Sequence, residues 1–115
     1  KAMRADYQLT YLNGYPPTKN DPAMVDGFLA SARQILPAAD IHVSEEDSMG
    51  GEDAGFFYQK VPGCFFRLYS AAPFTDGEIY PAHSSRFVLD DSVLYRGTAL
   101  FLQNIFDQLR VTVVK

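Results

Sequence analysis

An α/β fold is the expectation from this sequence, and three features carry it: a capped amphipathic helix in the first half, an apolar strand near the middle, and a second amphipathic helix toward the end. Asp21-Pro22 opens the first helix, a capping side chain followed by a proline whose missing N–H costs nothing in the first turn. Val25, Phe28, Leu29, Ala32, Ile35 and Leu36 recur at the spacing of one helical face, and Pro37 stops the run. Cys64-Phe-Phe-Arg-Leu-Tyr69 reads as a mostly apolar strand after the Val61-Pro62-Gly63 turn. Asp90 or Asp91 caps the second helix, spanning Ser92 to Leu109, with Leu94, Thr98, Phe101, Ile105 and Leu109 as its buried stripe.

The remaining segments fill in this order. Tyr7, Leu9 and Tyr11 alternate with Gln8 and Thr10, which predicts a strand over Tyr7–Leu12 with one buried face, ended by Asn13-Gly14. Tyr15-Pro16-Pro17 follows as a stiff crossover, because proline fixes its own φ and denies its predecessor the helical region. Ile41-His42-Val43 reads as a short strand, Glu52 to Lys60 as a short helix, Ser70 to Ser85 as a loop, Arg86 to Leu89 as an extended run, and Val111 to Val114 as a β-prone tail. No internal repeat or low-complexity segment interrupts the pattern.

Composition narrows the function classes. The chain has 115 residues, 47% of them hydrophobic, enough for one core. No apolar run approaches the roughly 20 residues that span a bilayer, and Lys1-Ala-Met-Arg-Ala-Asp6 lacks the apolar stretch of a signal peptide. The formal charge of −4 is spread without a basic stripe, which disfavours a nucleic-acid partner. Cys64 is the single cysteine, so no intrachain disulfide forms, and a reducing, cytoplasmic setting is the simpler expectation. The absence of an initiator methionine at Lys1 leads to the expectation of a piece cut from something longer.

Four motifs stand in order: Met49-Gly-Gly-Glu-Asp53, Val61-Pro-Gly-Cys-Phe-Phe-Arg-Leu68, Pro81-Ala-His-Ser-Ser-Arg-Phe87 and Asp90-Asp-Ser-Val-Leu-Tyr-Arg-Gly97. Together they resemble the C-terminal end of the N-acyl-amino-acid amidohydrolases, the hippurate-hydrolase and aminoacylase-like branch of the metal-dependent carboxypeptidases. The resemblance implies a partial catalytic domain of a zinc-peptidase-like fold, its helices packed on a mixed sheet and preceded by the last strand of a lid. Residues 1–14 would then belong to the lid (dimerisation) domain and 15–21, similar to the family's Pro-Pro-Thr return, to the crossover. The catalytic part would occupy 22–115.

His83 is the candidate metal ligand. An imidazole suits zinc, manganese or cobalt, and the resemblance places His83 in the segment that holds the family's C-terminal ligand, with Ser85 where the family has proline. Glu52 and Asp53 can act as a general base, as acceptors behind a metal ligand, or as a helix cap, and the family's phenylalanine after the pair is Ala54 here. Arg67 and Arg86 can bind a substrate carboxylate or serve in ion pairs. Cys64 reads as a small buried strand residue, His42 as structural, and Glu45-Glu46-Asp47 as a solvated turn. By resemblance the parent hydrolyses the amide of N-acyl amino acids with a divalent metal, its base and remaining ligands lying outside this chain. The chain alone is then expected to bind no metal usefully and to be inert. Two other classes compete: a self-associating module built on the Tyr7–Leu12 edge, forming a homo-oligomer, and a small enzyme built on Cys64 and His83.

Overall fold

A computed structural model describes residues 6–44, 46 and 48–109. Helix α1 spans Pro22–Ile35 and begins as its sequence directs: the Asp21 carboxylate accepts the Met24 N–H at 3.0 Å with Pro22 in the first turn. It ends at Leu36, whose N–H reaches Ala32 O at 2.9 Å while its backbone is extended, the conformation Pro37 imposes on its predecessor. A 3₁₀ turn over Ala38–Asp40 follows, then the short helix α2, Ala54–Tyr58. Strands β1 (Ala71–Ala72) and β2 (Val88–Leu89) pair antiparallel, with Ala71 opposite Leu89 and Ala72 opposite Val88. A 3₁₀ turn at Asp91–Val93 leads into α3, Leu94–Gln108, and Asp90 accepts from the Ser92 N–H at its start.

The two long helices pack on each other through a polar seam. The Ser31 hydroxyl donates to Asp107 Oδ2 at 2.6 Å, Gln34 Nε2 donates to the same oxygen at 2.9 Å, and Gln103 Nε2 bridges Gln34 Oε1 and Asp107 Oδ1. Ser31 is 1% exposed, and Ala32 and Leu100 beside it, at 2% and 4%, are the buried hydrophobic core among the described residues. Phe66 enters from the middle segment and joins both helices, stacking on Phe28 at 4.4 Å and tilting against Phe101 at 5.4 Å. Aromatic pairs of this kind contribute about 0.5–1.5 kcal/mol each beyond their buried area.

The molecule is therefore a small α/β assembly, with several departures from expectation. The sheet has two antiparallel strands and is not mixed. Cys64–Tyr69 forms no strand; in place of a neighbouring strand, the Asn20 side chain accepts from Phe65 N at 2.7 Å and donates to Phe65 O at 2.9 Å. Ile41–Val43 forms no strand, because the 3₁₀ turn runs into it and Ile41 N bonds back to Ala38 O. The expected loop Ser70–Ser85 contains β1 and a small hairpin, with Pro73 bridged to Ile79, Phe74 N on Glu78 O at 2.8 Å, and Gly77 at φ +84 in the turn. Proline and glycine had marked this stretch as loop, and two-residue strands are too short to show periodicity.

The stripe expected on α3 is not its buried face. Phe101 and Ile105 are 59% and 47% exposed, and Leu94 and Leu109 are exposed with them. The face toward α1 carries Leu100, Gln103 and Asp107 instead. Apolar spacing identified a stripe correctly as a chemical pattern, but no layer among the described residues covers it. Tyr7, Leu9 and Tyr11 are likewise 79–86% exposed and unpaired, since a strand buries a face only against a neighbour. The radius of gyration, 19.8 Å, exceeds the roughly 13 Å of a compact domain of this length. The tail Val111–Val114, Glu45 and Asp47 lie outside the described residues.

Candidate functional site

His83 lies in a double turn between the small hairpin and β2. Ser84 N donates to Pro81 O and Phe87 N to Ser84 O, each at 3.1 Å, and the Ser84 hydroxyl oxygen accepts from Arg86 N. Closing the first turn puts His83 at φ 72, the left-handed region that only glycine enters without strain. The imidazole is on an exposed residue, and no group of three or more His, Cys, Asp or Glu side chains able to hold a metal exists among the described residues. The donor set is thus one imidazole, which fits one coordination position and no more.

A polar network closes the loop that carries this turn. Asp76 Oδ1 accepts from Glu78 N at 3.0 Å, Asp76 Oδ2 accepts from the Tyr80 hydroxyl at 2.9 Å, and Arg86 donates to Tyr80 Oη at 2.8 Å while lying 5.3 Å above its ring. Arg86 is also 3.6 Å from Asp76, so its guanidinium is engaged as an ion-pair partner, one of the two roles open to it. Sequence reasoning missed Asp76 and Tyr80. Asp76-Gly77 is a turn dipeptide, and that signal could have been followed to the aspartate. Arg67 donates to Ser48 Oγ at 3.2 Å and meets no carboxylate among the described residues.

Glu52 and Asp53 stand exposed at the start of α2. Neither side chain caps the helix: Asp53 sits at the cap position in helical geometry without a side-chain bond, and the turn closes through backbone, Gly55 N to Glu52 O and Phe56 N to Asp53 O. The capping role is therefore not made here. The carboxylates are not drawn together with His83 into one cluster. His42 follows the 3₁₀ turn and is exposed, so it packs in no strand.

Cys64 lines a shallow apolar groove of about 360 Å³ with Tyr58, Phe66, Leu68 and Phe101. Burial pushes its thiol pKa up, and burial with the neighbouring Cys64 does the same for Tyr58. A raised thiol pKa keeps the sulfur protonated at neutral pH, the reverse of what a nucleophile needs. Gly63 beside it leaves room for the Tyr58 ring, which a Cβ there would force to move. A second, more open concavity of about 480 Å³ runs past Lys19, Asp21, Tyr58 and Lys60. Neither hollow includes His83, Glu52 or Asp53.

Comparison with known proteins adds what the geometry alone does not hold. A family model described as Peptidase family M20/M25/M40 matches residues 5–107. The chain is 39% identical over 83 residues to Thermostable carboxypeptidase 1 of Saccharolobus solfataricus, covering 72% of this chain and 20% of that protein. It is 31% identical over 90 residues to "Putative amidohydrolase YhaA" of Bacillus subtilis, covering 78% of this chain and 22% of that one. A third relative, "Putative glutamate--cysteine ligase 2-3" of Rhodococcus jostii, is 33% identical over 104 residues, covering 89% of this chain and 13% of that protein. The chain spans about a fifth of the length of the first two relatives. No solved structure matches it significantly.

Proposed function

The chain belongs to peptidase family M20/M25/M40, and from that premise we propose that it is the C-terminal part of a metal-dependent amidohydrolase acting on N-acyl amino acids or similar small amides. The observation that carries this reading is His83, an exposed imidazole in the motif Pro81–Phe87, held in a left-handed turn despite the strain. Residues kept in such conformations cluster at functional sites, where surrounding bonds enforce a geometry the residue alone would leave.

In the parent, His83 would hold a divalent ion, zinc or manganese, at one coordination position, the other ligands coming from chain outside these residues. When bound, such an ion supplies polarisation of the amide carbonyl and a water acidified toward neutral pH. Arg67, with a hydroxyl as its partner and no described carboxylate, is the better placed arginine to hold the carboxylate of an N-acyl amino acid, since Arg86 is already engaged. In the parent, Glu52 and Asp53 would serve as acceptors behind a metal ligand rather than as a base, the base being expected upstream.

The test is reassembly. Hydrolysis of N-acetyl and N-benzoyl amino acids is measured for this chain alone and for the chain co-expressed with the N-terminal part of its parent. The chain alone should show no turnover and no stoichiometric zinc or manganese binding by calorimetry. Reassembly should restore both. Tight stoichiometric metal binding by the chain alone, or reassembly without activity, would refute the reading.

A second reading has its own observation. Tyr7, Leu9, Tyr11 and Leu12 are exposed together, and such an extended apolar segment can pair with a second copy. Size-exclusion chromatography separates the two, since a monomer excludes self-association.

A further inference from the structure

Residues 15–21 are fastened at both ends. At the N-terminal end the Tyr15 ring lies over Gly51, where a Cβ would come within 2.9 Å of Tyr15 Cδ2, and meets Phe56 edge-on at 5.9 Å. Pro16 sits on Gly55: a Cβ there would stand 2.6 Å from Pro16 O and 3.2 Å from both Pro16 Cγ and Thr18 Oγ1. The contact is tight enough to bury Thr18 Oγ1 without a partner. At the C-terminal end, Asp21 N donates to Gly63 O at 2.9 Å and Asn20 clasps Phe65 through both its amide atoms. Pro16 and Pro17 stiffen what lies between. Gly14, immediately before, has nothing within 4 Å of where its Cβ would be.

We propose that Gly51 and Gly55 form a seat for the crossover, so that residues 15–21 move with α2 as a strut and any swing of the preceding segment pivots at Asn13-Gly14. Glu52 and Asp53 lie between the two seat glycines, so the strut also positions the carboxylate pair. The glycines of this motif therefore act through shape: each supplies the absence of a side chain at a point where the crossover backbone or ring comes within 3 Å. That the preceding segment is a lid strand rests on the reading proposed above; the docking itself does not.

Backbone order along the chain tests it. In the wild type, Thr18 and Lys19 should have ¹⁵N order parameters of roughly 0.85, falling below about 0.6 on the N-terminal side of Gly14. Tyr15→Ala removes the ring from Gly51 and Phe56 without touching Glu52 or Asp53. It should loosen Thr18 and Lys19 below about 0.6 and shift the amide resonances of Glu52 and Asp53, leaving α1 and α3 unchanged. Gly55→Ala should loosen the same two residues, whereas Gly14→Ala should change none of them. A wild type already mobile at Thr18 and Lys19, or a Tyr15→Ala protein in which these residues and the carboxylate pair are unaltered, overturns the proposal, whatever Gly55→Ala does to overall folding. Neither metal nor substrate enters the measurement, so a docked strut in an inactive reassembly would count against the amidohydrolase reading alone. A loose crossover in an active one would count against the strut alone.

Discussion

The two long helices and the stretch from Ser48 to Phe87 are held by different means. Helix α1 carries its instructions within its own ends, a carboxylate cap and N1 proline at one and Pro37 at the other, and it meets α3 through a seam of side-chain hydrogen bonds. The middle stretch has little regular pairing, and its segments are tied down by single side chains, Asn20 reaching Phe65 from 45 residues away and Asp76 binding Tyr80 and Arg86 locally. The proposed metal ligand sits in the second region and most of the secondary structure in the first. Local signals suffice for a helix, whereas an extended segment becomes a strand only when a neighbour supplies its bonds.

The largest expected effect lies on the chemical side of this contrast. In the reassembled parent, His83→Ala should lower activity by at least about 100-fold, while His42→Ala, outside any motif, changes it little. Equal losses with folding preserved would place the chemistry elsewhere. On the helical side, Leu100→Ala removes one of the two buried hydrophobic side chains among the described residues and should cost about 2–5 kcal/mol, read from urea unfolding, whereas Phe101→Ala, half exposed, should cost less. In the reassembled parent that order should narrow, because the covered stripe would then include Phe101. Asp21→Ala should cost about 1 kcal/mol through loss of the cap on Met24.

The smallest effect is the most diagnostic. His83→Gly should leave the chain as stable or up to about 1 kcal/mol more stable, because glycine enters the left-handed region without the strain histidine bears, while activity of the reassembled enzyme is lost. A destabilised variant would mean that the imidazole is held for structural reasons. Cys64 gives a parallel check by pH. Its raised pKa means that its contribution to stability is complete below the ordinary thiol range and is lost as pH rises through the folded value. Alkylation at neutral pH should accordingly run slower than for a free thiol.

What could be read from the residues follows the same division. Asp21-Pro22, the apolar spacing of α1 and the aspartate before α3 are contiguous signals, and each led to the right element. The family motifs were legible for the same reason, being short and contiguous. The turn at His83 was visible as a proline-bearing loop, but its positive φ depends on closure from Pro81 to Ser84, which residue types do not encode. Cys64–Tyr69 has the composition of a strand, yet no strand among the described residues pairs with it. The α3 stripe was chosen by apolarity, while the actual contact with α1 is made by Gln103 and Asp107, whose polarity argued for solvent.

The clasp of Asn20 on Phe65 also sets a direction. In an extended chain, the N–H and C=O of one residue face the same edge, and those of its neighbours face the other. With both groups of Phe65 taken by one amide, that edge is closed at this point. Any strand that pairs along Cys64–Tyr69 is steered to the edge served by Cys64 and Phe66, so one asparagine decides the sidedness of pairing along this segment.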